Sequence, residues 1–386
     1  MHSGTDFDVV IAGAGIVGAA IAHHLARDGL RVCVVDRSGP AAQASGASDG
    51  AVSVASKRPG VLAQLAGDAL EYCGALARSG GPLHGIFHYR PAYFFASHAL
   101  EEAALDALVD KLRALDGPAR VVADHHNRAA IPLPLGPDVR RLIEIGGEGH
   151  MLGYAATQSF LAHPRIACKW PLAVDGIEPD GDCVRIRTSK GDLRASWAVV
   201  ALGVASASLI PLLPLRPRTG QLLVTDRETA GHAPLPGALT AAAYLVSKTA
   251  GLQSPGLLPV VIDPLVTGQY LIGSSREEHG DAARIDTVLL QQLLQRAVAA
   301  FPALSGRRVI RAFAGVRCAV ADSLPVVGWV PGLPRVAVAT GFEGDGICLS
   351  ALVGREVAAM VAGRAVHADI GALSPARFEH AELVPA

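Results

Sequence analysis

The feature that most constrains this chain is a run of three glycines held between an apolar strand and an apolar helix near its start. Asp8-Val9-Val10-Ile11-Ala12 reads as a short buried strand. Gly13-Ala14-Gly15-Ile16-Val17-Gly18 follows at once, and Ala19 to Arg27 continues at helical spacing until Gly29 stops it. Leu30 to Val35 is a second apolar strand, with Asp36 at its end. Two parallel strands need a crossover between them, so the segment is a β-α-β unit. Gly13 permits the tight turn, Gly15 lets backbone approach a pyrophosphate, and Gly18 lets the helix pack on the strand. The amides that open the helix, at Ile16 and Val17, face the phosphates. Asp36, with Arg37 beside it, is placed to accept a hydrogen bond from a ribose 2′-OH and would repel a 2′-phosphate. The pattern fits a dinucleotide such as NAD or FAD and disfavours NADP.

A chain of 386 residues is too long for one ordinary core, which predicts two domains. Continuous apolar strands return at Ala198–Leu202 and Val336–Ala339, whereas Val184–Thr188 and Leu193–Trp197 alternate like a hairpin across residues 189–192. Gln221–Thr225, Ala243–Ser247 and Tyr270–Gly273 read as strands of a second sheet. Helices are expected over Leu62–Ala77, Leu100–Leu115 and Thr287–Phe301, and extended chain over Phe87–Phe95. The expected fold class is α/β: a Rossmann-like domain from 1–80, 146–214 and 306–386, with an inserted mixed, largely antiparallel α+β domain from 81–145 and 215–305.

The formal net charge of −1 gives no reason to expect nucleic acid or an anionic membrane surface as partner. The six cysteines form no C-x-x-C pair and no zinc spacing with the 14 histidines, so neither metal nor disulfide is expected. The apolar stretch Val9–Ala22 is too short to span a bilayer and follows acids rather than a basic segment, which predicts a cytoplasmic protein.

Four further segments carry a resemblance. Ala44-Ser45-Gly46-Ala47-Ser48-Asp49-Gly50 is a loop of small residues beyond Asp36. Val199-Val200-Ala201-Leu202-Gly203 is a strand ending in glycine, and Tyr270-Leu271-Ile272-Gly273-Ser274-Ser275-Arg276-Glu277 is another strand motif. The last runs from Ala314-Gly315-Val316-Arg317 through residues 322–328 to Thr340-Gly341-Phe342-Glu343-Gly344-Asp345-Gly346-Ile347. In this order, over most of the chain, they resemble the D-amino-acid oxidase superfamily of flavoenzymes, which includes glycine and sarcosine oxidases. The resemblance implies non-covalent FAD, held by the glycine fingerprint and Asp36, by Ser45, Gly46, Ala47, Ser48 and Gly50, by Ala201 and Gly203, and by Gly341, Gly344, Asp345, Gly346 and Ile347. It implies that the Arg317 fork binds a substrate carboxylate while hydride passes from a carbon beside an amine nitrogen to the flavin, leaving an imine for hydrolysis. An acid such as Asp322 is the competing partner for Arg317.

Tyr244 and Lys248, on the strand expected at Ala243–Ser247, are further candidates for substrate contact. Lys57 or Lys248 is the candidate cation for oxygen activation, against a solvated surface role. Small residues at Ala238 and Ala241–Ala243 would leave room for a bulky substituent if they line the pocket. The expected partners are a small amine or amino acid, with an N-carboxymethyl amino acid among the candidates, oxygen or another electron acceptor, and a second copy of the chain as a candidate. The alternatives are a D-amino-acid or D-hydroxyproline-type dehydrogenase and a flavin-binding component of a larger oxidoreductase. The chain departs from the pattern of the family it resembles at Phe342, where histidine is common. It departs too at acidic Glu343 and Asp345, where Asp345 is a candidate helix cap, and at Cys318, where proline is common.

Overall fold

The computed structural model describes residues 5–78, 80–115, 117–227, 235–250 and 258–379, with no side chain described over 247–250. The opening unit folds as its pattern dictates. Strand β1 (Phe7–Ala12) runs into helix α1 (Ile16–Arg27) and returns through β2 (Val32–Val35), which pairs in parallel with β1. A short strand β3 (Ala51–Val52) and helix α2 (Val61–Leu76) follow, then β4 (His88–Ala96), α3 (Ala99–Ala114) and β5 (Arg120–His125). Residues Gly146-Gly147-Glu148-Gly149, which suggest a turn, belong instead to a ten-residue strand β6 (Arg141–His150). Partners on both sides, β4 on one and β5 and β3 on the other, keep that stretch in the sheet, and Gly147, at φ +75°, takes up the irregularity where the β4 register shifts.

Next come α4 (Gly153–Leu161), β7 (Ile166–Lys169), the hairpin β8 (Val174–Asp180) and β9 (Cys183–Thr188), then β10 (Leu193–Val200) and a short α5 (Ser206–Leu209). Beyond them lie the eleven-residue β11 (Leu215–Thr225), β12 (Ala238–Ala241), α6 (Ala243–Ala250), β13 (Val261–Pro264), β14 (Tyr270–Gly273) and α7 (Thr287–Ala300). The chain closes with the twelve-residue β15 (Val309–Val320), β16 (Val326–Trp329), β17 (Val336–Thr340) and α8 (Gly346–Val361). The strand expected at Ala243–Ser247 is thus a helix. Ala243, Leu245 and Lys248 have no β-branch, and the buried strand has already ended at Ala241, so local propensity favours the helix.

Two sheets organise the molecule. In the first the order is β16-β17-β10-β1-β2-β7, parallel from β17 to β7, with β16 antiparallel at one edge and β9 and β8 attached to β10. Helices α1, α8, α2 and α4 pack together against one of its faces. The second sheet has the order β15-β11-β14-β13-β12-β4-β6-β3, with β5 on β6. All its pairings are antiparallel except β12 with β4. This is the expected α/β class with a largely antiparallel second unit. Strand β15 hydrogen-bonds along its length to β11, so the second sheet draws on chain beyond residue 306.

Candidate active site

The glycine fingerprint lies at the carboxyl ends of β1 and β2, where an open parallel sheet leaves its crevice. Gly13 has φ +112°, and a Cβ there would stand 2.3 Å from the Ala201 carbonyl oxygen. At Gly18 it would stand 2.1 Å from the Gly13 oxygen, so both positions exclude any side chain. Asp36 braces this turn: Oδ2 accepts from the Ala14 amide (2.9 Å), and Oδ1 from Ser38 (2.7 Å) and Gly39 (2.9 Å). Oδ2 keeps a second lone pair, enough for one ribose hydroxyl. Arg37 is exposed.

The Ile16 amide donates to Ser45 Oγ (3.0 Å), which ties the small-residue loop to the start of α1. That leaves the amides of Val17 and Gly18 in the first turn without an intrahelical acceptor. Ser48 Oγ closes the loop on the Ser45 carbonyl (2.9 Å), and the Gly50 carbonyl accepts from Met151 (2.9 Å). Gly203 accepts from Thr340 Oγ1 (2.8 Å), joining the ends of β10 and β17, where the glycine loop 341–346 opens helix α8. Glycine-only turns, a braced acid and two helix N-termini on one crevice fit FAD. Gly13–Gly18 and Asp36 are able to hold its dinucleotide part, and residues 45–50 and 341–347 its ring.

Asp345 occupies the N-cap position of α8, yet its side chain makes no capping hydrogen bond. It pairs instead with Lys57 (2.8 Å) in the interior, where Lys57 is only 5% exposed. Lys57 is therefore no surface lysine. Burial by itself lowers an ammonium's pKa, but the Asp345 carboxylate, with Cys348 and Tyr244 nearby, holds it above its ordinary value. The Asp345 charge is thus balanced at the helix start. Phe342 is buried, while Gly344 is exposed.

Arg317 lies on β15 directly across from Arg218 on β11. Its guanidinium leans over Gly220, where a Cβ would lie 2.5 Å from Nη1, and it donates to the Ser275 carbonyl (3.1 Å) and Ser274 Oγ (2.6 Å). Asp322, the competing partner, pairs with Arg377 (2.7 Å). Glu343 takes both Arg218 (3.1 Å) and Arg276, and Glu278 takes Arg218 as well. Of these four arginines, Arg317 alone has no carboxylate partner among the described residues.

A cavity of about 50 Å³ lies beside Ala51 and Ser53. Its walls include Asp49, Arg90, Glu148, Thr240 and Tyr244, together with Ala238. Arg317 is not in its lining, but the two share a loop: Gly315, on the same face of β15 as Arg317, packs on Ala47, and Asp49 lies two residues further along. Tyr244 reaches the cavity from the first turn of α6. The Lys248 side chain lies outside the described residues. Ala241, Ala242 and Ala243 are core residues and leave no room for a substituent.

Arg90 donates to both carboxylate oxygens of fully buried Asp263 (2.7 Å each) and to the Pro264 carbonyl (3.0 Å). Burial pushes the Asp263 carboxyl up, against the pull of Arg90. Sequence reasoning missed Arg90, Glu148 and Asp263. The available signal was an acid among glycines within a strand, a residue type that strands bury only with partners.

A family model described as FAD dependent oxidoreductase, DAO, matches residues 8–360. The chain belongs to this DAO family. It is an FAD-dependent oxidoreductase. The DAO chain is 27% identical to one of the subunits of an opine oxidase of Rhizobium meliloti, over 97% of this chain and 98% of that protein. It is 26% identical to a glycine oxidase of Pseudomonas aeruginosa, over 95% and 98%. Its fold superposes on the glycine oxidase of Geobacillus kaustophilus with a TM-score of 0.83, at 23% identity, covering 95% and 98%. No helix among the described residues of the DAO chain is long and apolar enough to cross a membrane.

Proposed function

We propose that this chain oxidises the C–N bond of a small amino carboxylate, an N-substituted glycine in the first instance, with Arg317 as the carboxylate anchor. The observation that carries this reading is the part-buried Arg317 guanidinium. It is oriented by Ser274 and Ser275, lies on the face of β15 that meets the 44–50 loop, and has no acid among the described residues to balance it. A guanidinium fork matches a carboxylate and stays charged at any working pH. Bound FAD supplies the two-electron acceptor. The chain's part is to fix the carboxylate on Arg317 and so aim the adjacent C–H bond, with Tyr244 in the wall of the neighbouring cavity. The relative named glycine oxidase supports an amino carboxylate substrate.

Anaerobic titration of the holoenzyme tests this. N-alkylglycines should bleach the flavin absorbance, and peroxide should appear when air is admitted. Bleaching by D-amino acids alone would replace the substrate class, and absence of peroxide would make the enzyme a dehydrogenase. A second reading, one component of a larger oxidoreductase, has specific support in the opine oxidase relative, which is itself named as a subunit. Turnover by the purified chain with oxygen alone would set that reading aside.

A further inference from the structure

The cavity beside Ser53 has a charge balance that the carboxylate anchor does not use. Its Arg90 is spent on Asp263, through two 2.7 Å contacts, and nearby Lys57 is spent on Asp345. Two carboxylates remain, Glu148 and Asp49. Asp49 Oδ1 accepts only the adjacent Ala51 amide (3.2 Å). Glu148 is 2% exposed, and its Oε1 accepts the amides of Val54 (3.0 Å) and Ala55 (2.9 Å). Its Oε2 is buried with no hydrogen-bond partner, while the residue lines the cavity. Arg90 stands directly across the β4–β6 ladder from Glu148, yet it turns to Asp263 instead. A buried carboxylate oxygen without a donor is costly, and a donor from a ligand removes that cost.

We propose that Glu148 and Asp49 form an amine subsite, in which Glu148 Oε2 accepts an N–H of the substrate ammonium and takes up its proton. The step is R2NH2+ plus Glu148 carboxylate giving R2NH plus Glu148 carboxylic acid. The N–H bond breaks, an O–H bond forms, and the nitrogen lone pair is freed without any change of oxidation state. The cavity has room for an amino group and a carbon or two, so the carboxylate stays outside it, toward Arg317. The titratable and charged groups around Glu148 are Lys57 after β3, Asp345 and Cys348 on α8, Tyr244 on α6, Arg90 on β4 and Asp49. Burial pushes the Glu148 carboxyl up despite nearby Ser53, the two amides and the Lys57 charge, which suits a proton acceptor.

This inference rests on the substrate being an amine, and its test separates it from that reading. Glu148→Gln keeps a carbonyl for the Val54 and Ala55 amides and presents an NH2 group where Oε2 stood. Sarcosine and its ether counterpart methoxyacetate share a carboxylate and differ in the N–H. Methylammonium carries the amine alone. In flavin-perturbation titrations of the holoenzymes, E148Q should weaken sarcosine and methylammonium at least tenfold and leave methoxyacetate within about twofold. The wild-type rate of flavin reduction by sarcosine should show an inflection with pH that E148Q lacks. Equal losses for all three ligands, or none, would overturn the subsite while leaving the carboxylate anchor standing. If sarcosine fails to reduce the wild-type flavin, the proposed substrate class falls. The subsite is then decided by methylammonium, whose failure to bind wild type overturns it. Should E148Q not fold, Asp49→Asn is read with the same ligands, and unchanged amine binding counts against the proposal.

Discussion

The two ends of the crevice are polar for different reasons. At the fingerprint end the polar groups are main-chain amides at the start of α1. Side chains enter chiefly as braces, Asp36 on Ala14 and Ser45 on Ile16, with one Asp36 lone pair left for a ribose hydroxyl. At the cavity end the polar groups are side chains: Arg90 on β4 with Asp263 on β13 and Lys57 after β3 with Asp345 at the start of α8, each held as an ion pair, and Glu148 on β6. Backbone polarity needs only a fold and a glycine, so it serves a cofactor part common to many enzymes. Side-chain polarity can be altered one residue at a time, and that is where one family member can differ from another in substrate.

The contrast breaks first at Gly13. Valine there meets both φ +112° and the Ala201 carbonyl, so Gly13→Val should yield protein without FAD and lower the melting temperature sharply, a cost of about 3 kcal/mol or more. Flavin absorbance and a thermal melt measure both. Retained FAD would mean that the backbone end is more tolerant than its geometry says.

Lys57→Met is the corresponding cut at the side-chain end. It leaves Asp345 buried and unbalanced, and breaking such a pair costs about 3–5 kcal/mol. Denaturant unfolding should show that loss, and the double variant Lys57→Met with Asp345→Leu should recover most of it. If the double variant is no better than the single one, the pair is not the unit of stability described here.

Arg317→Met should weaken carboxylate ligands about 100-fold, roughly 3 kcal/mol for a lost charged contact, with FAD content unchanged. Ligand titration reads the first and absorbance the second. Unchanged affinity would remove Arg317 from the substrate site.

The smallest effect lies behind the fingerprint, on the buried face of α1. Burial, with Arg27 and His163 adding to it, pushes His23 down to about 4, below the ordinary imidazole value near 6.5. Between those pH values the unfolded chain binds more protons than the folded one. Stability is therefore full above about pH 6.5 and falls as pH drops toward 4. Melts across that window should decline, and His23→Gln should flatten part of the slope.

The legible part of the molecule was the part written in contiguous residues. Strand, glycines, helix, strand and acid occupy residues 8–36, and period and turn chemistry alone place them. Helix α6 was misread because Ala243–Ser247 is too short for its periodicity to separate helix from strand. The cavity was the least legible. Glu148 meets Val54 across 94 positions and Arg90 meets Asp263 across 173, so no window of sequence contains both members of either pair. Arg317 was placed by resemblance, and its lack of an acid partner among the described residues appeared only in three dimensions.

The parallel pairing of β12 with β4 in the second sheet has a kinetic meaning. Strand β12 joins β4 with Ala238 beside Ala92 and Thr240 beside Phe94, so the cavity floor needs two strands far apart along the chain to meet. Closing so long a loop is entropically costly before any contact compensates for it, whereas β1, α1 and β2 are neighbours in sequence. The dinucleotide cradle should therefore take shape early in folding and the cavity late. Pulsed hydrogen exchange during refolding would show Val9–Val35 protected before Phe94 and Thr240 if this order holds.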